Sequence, residues 1–278
     1  MTDKPPIKPF PSAGDDVAPA HAKSAHTAQT LSPSYRLAYA DDSFLLTDDL
    51  RGVRLMLEYL KPELSMHEHG IKSTVVVFGS TRISDAQKPE AKPRAELDRD
   101  YYAEARRFAA LMATASCEQE DLECVIMTGG GPGIMEAANR GASDVGAKNI
   151  GLNIVLPREQ VPNRYITPEL SFQFHYFALR KLHFLLRARA LVVFPGGYGT
   201  LDELFEALTL LQTKRIKPMP VLLFGEPFWR RIVDFEAMVE AGVIAPEDAK
   251  LFQFVETAER AVEIISRDGG GTGTGALE

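Results

Sequence analysis

The stretch Phe194-Pro195-Gly196-Gly197-Tyr198-Gly199-Thr200-Leu201-Asp202-Glu203 decides the fold of this chain. Before it runs Ala190-Leu191-Val192-Val193, an apolar segment of the kind that forms a buried strand. After it, Leu201, Leu204, Leu208 and Leu211 recur at helical spacing. A glycine-rich turn therefore joins a strand to the start of a helix. At such a junction the unpaired N–H groups and the helix dipole favour an anion such as phosphate. Glycine lets the backbone come close to a ligand. Thr200 adds a hydroxyl, and Glu203 is placed by this reading on the first helical turn, beside whatever the loop holds. A carboxylate next to a phosphate site points to chemistry on a phosphorylated sugar.

The theme recurs twice upstream. Val125-Ile126-Met127-Thr128 reads as a strand broken by Gly129-Gly130-Gly131-Pro132-Gly133, after which residues 134–142 read as a helix rich in small residues for close packing. Thr74-Val75-Val76-Val77-Phe78 ends in Gly79-Ser80. No Gly-Lys-Ser/Thr follows any of these glycines, so none is a P-loop, and the spacing of residues 129–133 does not fit the dinucleotide fingerprint. One such turn often serves only packing. Three, each at the carboxyl end of a strand, share one edge of a parallel sheet, which is where open α/β sheets bind ligands.

Outward from these turns the chain alternates. Strands are expected near 73–79, 124–129, 149–155, 190–195 and 220–224, with a short one near 252–255. Helices are expected near 43–61, 98–116, 133–145, 172–188, 200–213, 228–241 and 257–267. The fold class is α/β, a Rossmann-like three-layer αβα arrangement on a mainly parallel sheet. Residues 1–33 have the composition of a disordered extension. Residues 34–71 form a helical segment packed on the core, with Leu50, Val53, Leu57 and Leu60 on one stripe and Pro62 after it; residues 72–267 form the Rossmann-like domain, and 268–278 a flexible glycine-rich tail. The long segment 156–171 has little periodicity, and loops of that length are often functional.

Composition narrows the function. A formal net charge of −7 argues against general nucleic-acid binding, and no apolar run reaches bilayer-spanning length. The N-terminus carries no apolar signal-peptide core, and two cysteines, Cys117 and Cys124, make no disulfide framework, so a cytoplasmic protein is expected. His67, His69, His175 and His183 lack metal-ligand spacing, and no metal or organic cofactor is expected. In the dense apolar helix before the main turn, Arg180 and Lys181 stand out, because buried cations need partners. Taken alone they read as a solvated stripe or a salt bridge. The adjoining turn shifts that reading toward a ligand. Glu203, Asp202 and Glu206 are explicable as acids complementing a helix dipole.

Gly130-Gly131-Pro132-Gly133-Ile134-Met135-Glu136, then Arg180-Lys181, then Pro195-Gly196-Gly197-Tyr198-Gly199-Thr200-Leu201-Asp202-Glu203, resemble the LOG ("Lonely Guy") family, whose members are often mislabelled lysine decarboxylases. The resemblance covers residues 74–267, and residues 151–180 look like its longer bacterial branch. It implies hydrolysis of the N-glycosidic bond of a nucleoside 5′-monophosphate, AMP or a cytokinin riboside 5′-monophosphate, to free base and ribose 5-phosphate. It implies Arg180 and Glu203 as catalytic residues, with Lys181 and Glu159 binding substrate. Gly196, Gly197, Tyr198, Gly199 and Thr200 would hold the phosphate with Gly130, Gly131 and Gly133, while Gly79, Ser80, Met135, Glu136 and Thr209 complete the binding set. A homodimer or higher homo-oligomer is implied, with the small nucleotide as partner. Base cleavage passes through an oxocarbenium-like transition state that carboxylates stabilise. Glu203 could orient the ribose and support that cation or activate water, and the sequence leaves both open. Lys181 lacks the setting of a Schiff-base lysine. The competing reading is a non-catalytic carrier of a nucleotide or phosphorylated cofactor, which would need the Arg180 and Glu203 pair less.

Overall fold

A computed structural model of the chain describes residues 12–22, 27–85, 99–118, 124–157 and 161–268. It divides into two units, Met1–Leu57 and Glu58–Glu278. In the first, α1 (Ala13–Ala22), α2 (Ala28–Leu31) and α3 (Asp42–Leu45) precede α4 (Arg51–Glu68), whose residues from 58 onward belong to the second unit. Helices thus occur within the segment expected to be disordered. Asp41 caps α3 by accepting from the N–H groups of Ser43 and Phe44. The expected tail from 269 lies outside the described residues.

The second unit carries seven strands: β1 (Thr74–Phe78), β2 (Val125–Thr128), β3 (Asn149–Ile154), β4 (Ser171–Phe174), β5 (Ala188–Val193), β6 (Val221–Phe224) and β7 (Gln253–Val255). They form one sheet in the order β4-β3-β2-β1-β5-β6-β7, and every pairing is parallel. The helices are α5 (Tyr101–Glu118), α6 (Ile134–Asp144), α7 (Phe177–Leu186), α8 (Tyr198–Gln212), α9 (Glu226–Ile232), α10 (Phe235–Glu240) and α11 (Ala258–Arg267).

The central strands are buried on both faces, so their apolar runs are continuous rather than alternating. Val75, Val77, Ile126, Val192, Leu222 and Phe224 face one core with Phe108 and Met112 of α5, Ile134 and Ala138 of α6, and Ile265 of α11. Val76, Phe78, Met127, Leu152, Leu191 and Leu223 face the other, with Met66 of α4, Phe184 of α7, Leu204 and Leu211 of α8, Trp229 and Phe235. These are the three layers expected of the alternating pattern. The small residues of α6 serve close packing, since a side chain at Gly141 would strike the Arg106 carbonyl of α5.

Three elements differ from the expectation. The helix expected over 172–188 is a strand, β4, followed by the shorter α7. Phe172 and Phe174 alternate inward with Gln173 outward, a period-two signal hidden by the aromatic residues that continue into the helix. Pro62 does not end α4 but lies inside it. There Pro62 and Met66 are buried, whereas Leu60 of the expected stripe is 37% exposed. Finally, the helix expected over 228–241 is two helices, divided where Asp234 caps α10 through the Ala237 N–H.

Candidate active site

From β1 the chain proceeds to β2 on one side of the sheet, and from β5 to β6 on the other. β1 and β5 are neighbours, so the order reverses between their carboxyl ends and opens a crevice there. The turns after β1, β2 and β5 meet at this edge. Ser80 donates its N–H to the Pro195 carbonyl at 3.0 Å, and Ile134 donates to the Ser80 carbonyl at 3.1 Å. Gly133, the N-cap of α6, has φ +76°, and a Cβ there would collide with the Ser80 carbonyl. Only glycine lets this turn close on its neighbour. Gly197 caps α8 without a side-chain partner for the helix. The first N–H groups of both helices therefore point to the shared edge.

Behind the glycines lies a buried polar network. Thr128 donates its hydroxyl to Asn139 Oδ1 at 2.7 Å and accepts the Gly130 N–H at 2.9 Å. Asn139 donates to Asn149 Oδ1 at 2.9 Å, and Asn163 donates to Asn139 Oδ1 at 2.8 Å. The Asn163 amide also reaches the carbonyls of Gly130 and Gly131 at 3.2 and 3.1 Å. This network holds the second glycine turn in shape, and the sequence reading missed it. The available signal was Asn139 at a buried position of an otherwise small and apolar helix face.

Arg180 and Glu203 come together at this edge, 3.7 Å apart between Nη1 and Oε1. Their side chains are only 10% and 15% exposed, so the pair is sheltered from solvent screening. Arg180 donates Nε–H to the Leu152 carbonyl at 2.7 Å and lies 5.1 Å over the Phe184 ring. Gly129 makes room for it, since a Cβ there would meet the guanidinium and the Met135 sulfur. Burial pushes the Glu203 carboxyl up to about 7, with Arg180 opposing the rise. Burial likewise lowers Arg180 from its ordinary value against the pull of Glu203. Both partners thus show desolvation outweighing a contact too long for a hydrogen bond. Because α8 begins at Tyr198, Glu203 falls on its second turn rather than its first. Its placement opposite Arg180 replaces the helix-dipole explanation.

The remaining candidates divide. Gly79, Ser80, Gly130, Gly131, Gly133, Gly196, Gly197, Gly199 and Thr200 lie on the turns and helix starts of the shared edge, and Thr200 is buried against Gly196. Tyr198 is 93% exposed. Lys181 binds Asp202 at 2.7 Å and Glu206 at 3.2 Å, strapping α7 to α8 beside Glu203. Burial opposes its charge, yet these two carboxylates hold its ammonium above the ordinary lysine range. Glu136 accepts from the Tyr102 hydroxyl at 3.0 Å. Thr209 is exposed and donates its hydroxyl to the Phe205 carbonyl of its own helix. Glu159 lies outside the described residues. His183 is fully buried between Tyr59 and Phe174, each 5.5 Å away, and burial lowers its pKa below the ordinary histidine value. Among the described residues, no cluster of three or more His, Cys, Asp or Glu is placed to hold a metal ion. No helix among them is long and apolar enough to cross a membrane.

A family model described as "Possible lysine decarboxylase" matches residues 135–265. The chain is 30% identical over 144 residues to a cytokinin riboside 5′-monophosphate phosphoribohydrolase of Arabidopsis thaliana, covering 50% of this chain and 65% of that protein. It is 32% identical over 145 residues to the corresponding enzyme LOG of Oryza sativa subsp. japonica, covering 51% and 57%. The matches thus span between about half and two thirds of these relatives' own length. Among solved structures, a molybdenum cofactor carrier protein from Chlamydomonas reinhardtii aligns with TM-score 0.45 at 20% identity over 71% of this chain and 98% of its own. A molybdenum cofactor binding protein from Rippkaea orientalis aligns with TM-score 0.43 at 17% identity over 70% and 96%. The family model spans most of α6, Arg180 and the main glycine turn, and together with the phosphoribohydrolase relatives this match supports membership of the LOG family.

Proposed function

We propose that this protein hydrolyses the N-glycosidic bond of nucleoside 5′-monophosphates, AMP or a cytokinin riboside 5′-monophosphate, releasing free base and ribose 5-phosphate. The observation that carries the reading is the sheltered Arg180 and Glu203 pair at the edge where two helix N-termini converge. The 5′-phosphate binds on the N–H groups that open α6 and α8, where the dipoles favour negative charge. That remote contact supplies binding energy that fixes the sugar for reaction. The C1′–N bond breaks with its electrons leaving on the base, and positive charge develops on the ribose. Glu203, titrating near 7, presents a carboxylate to that cation or takes a proton from the attacking water, while the base gains a proton. Water adds at C1′ to complete ribose 5-phosphate. Arg180 keeps a share of Glu203 ionised at neutral pH, since its charge opposes the rise caused by burial.

Exposed apolar side chains on α4 and α7, including Leu64 at 64% and Phe177 at 51%, support a homo-oligomer as the working assembly. A cytoplasmic location accords with the chemistry of a soluble nucleotide substrate. The test is incubation of purified protein with AMP and with a cytokinin riboside 5′-monophosphate, with chromatographic separation of nucleotide, nucleoside and base. Adenine and ribose 5-phosphate from wild type and not from Glu203→Ala is the expected result. Saturable nucleotide binding with no base release by wild type would replace the enzyme with a carrier.

A further inference from the structure

Arg180 stands on α7, and α4 grips that helix along its length. At its start, Glu58 accepts the His175 N–H at Oε1 (2.8 Å) and the Tyr176 N–H at Oε2 (3.1 Å). In its middle, the Tyr59 ring stacks on His183 with centroids 5.5 Å apart. At its end, Glu63 takes both Nη atoms of Arg187, the Nη2–Oε2 contact being 2.9 Å. The first grip bears most directly on the site. Tyr176 is the N-cap of α7, and its carbonyl accepts the N–H of Arg180 at 3.2 Å. One residue therefore connects the Glu58 carboxylate to the Arg180 backbone. We propose that Glu58 is a positioning residue for Arg180, its carboxylate seated on the N–H groups that open α7 and setting where the guanidinium stands against Glu203.

The charges around Glu203 make this position matter. Arg180 and Lys181, the cations that favour its ionised form, both belong to α7. Asp202 and Glu206, the carboxylates that oppose it, share α8 with Glu203 and move with it. A displacement of α7 away from α8 thus weakens only the favourable contacts. Lengthening the 3.7 Å contact by about 1 Å, at an effective dielectric of about 20, raises the Glu203 midpoint by roughly 0.7 pH unit. A through-space effect has the opposite sign, since deleting the Glu58 charge alone would lower that midpoint. The direction of the change therefore separates positioning from simple electrostatics.

The kinetic part of the test rests on the proposed nucleotide hydrolysis, whereas the titration does not. The Glu203 carboxyl is followed by carbon-13 NMR in the full chain, assigned with Glu203→Gln, in wild type, Glu58→Gln, Glu58→Ala and the exposed control Lys61→Ala. AMP cleavage is profiled against pH in parallel. Glu58→Ala is expected to raise the Glu203 midpoint by about half a unit or more. The pH profile should move with it, and kcat should fall roughly tenfold with a smaller change in KM. Glu58→Gln, which keeps one acceptor oxygen, is expected to show a smaller rise, and Lys61→Ala none. A midpoint that stays put or falls in folded Glu58→Ala overturns the proposal. Should that variant not fold, the same result in Glu58→Gln overturns it. Wild type that cleaves no nucleotide would reject the enzymatic reading, and the titration would still decide the role of Glu58.

Discussion

Replacing Glu203 by glutamine should make the protein more stable at alkaline pH while abolishing its chemistry. Burial pushes the Glu203 carboxyl from 4.5 in the unfolded chain to about 7 in the fold. The folded state therefore holds the proton more tightly than the unfolded state. Between these two values stability falls as pH rises, and above 7 the loss is complete. A rise of about 2.5 pH units at ~1.36 kcal/mol each makes the ionised carboxylate cost roughly 3 kcal/mol. Glutamine stands for the protonated carboxyl and does not titrate. The loss of a counter-ion for Arg180 is contained in the comparison, because the protonated acid leaves Arg180 in the same situation. Thermal unfolding of wild type and Glu203→Gln should coincide near pH 4.5. At pH 8 the variant should melt higher, by roughly 6–12 °C for a unit of this size. Equal or lower stability of the variant at pH 8 would refute the reasoning, because attraction to Arg180 would then outweigh the burial of Glu203.

Gly133→Ala should destabilise the protein by about 2 kcal/mol or more, since φ +76° with ψ −131° is a sparsely populated conformation that costs a non-glycine residue ~1–3 kcal/mol and the new methyl also displaces the Ser80 carbonyl. A urea melt measures it, and a change below about 0.5 kcal/mol would mean the turn relaxes freely. Asn139→Ala should cost about 2–4 kcal/mol by leaving the Thr128 hydroxyl and the Asn163 and Asn149 amides short of partners. The same melt checks it, and AMP affinity should fall with it because the network shapes the second glycine turn.

The fold was legible because its signals are local. Apolar runs ending in glycine announce parallel strands buried on both faces, and the three turns shared an edge by the rules of βαβ connection alone. Where local signals overlap, the reading slipped. Phe172, Phe174 and Phe177 form one aromatic run, and only pairing with β3 separates strand from helix within it. Pro62 is a helix breaker by its own chemistry, yet α4 continues through it and the residue is buried. The tertiary environment supplied what the intrinsic preference opposed.

The candidate site divides along the same line. The sequence by itself determined the residue types: glycines where backbones must approach closely, and an arginine and a glutamate flanking the main turn. Only the tertiary structure decided which side chains meet. It turned Arg180 inward to Glu203 and Lys181 toward Asp202 and Glu206, although the two cations are adjacent in the chain. It also recruited Asn139, Asn163 and Glu58 from segments with no motif. Adjacent residues on a helix point about 100° apart, and which of them is buried depends on the neighbouring helix rather than on either residue. The elevated titration of Glu203 follows from that burial, so it too is a property of the assembled fold.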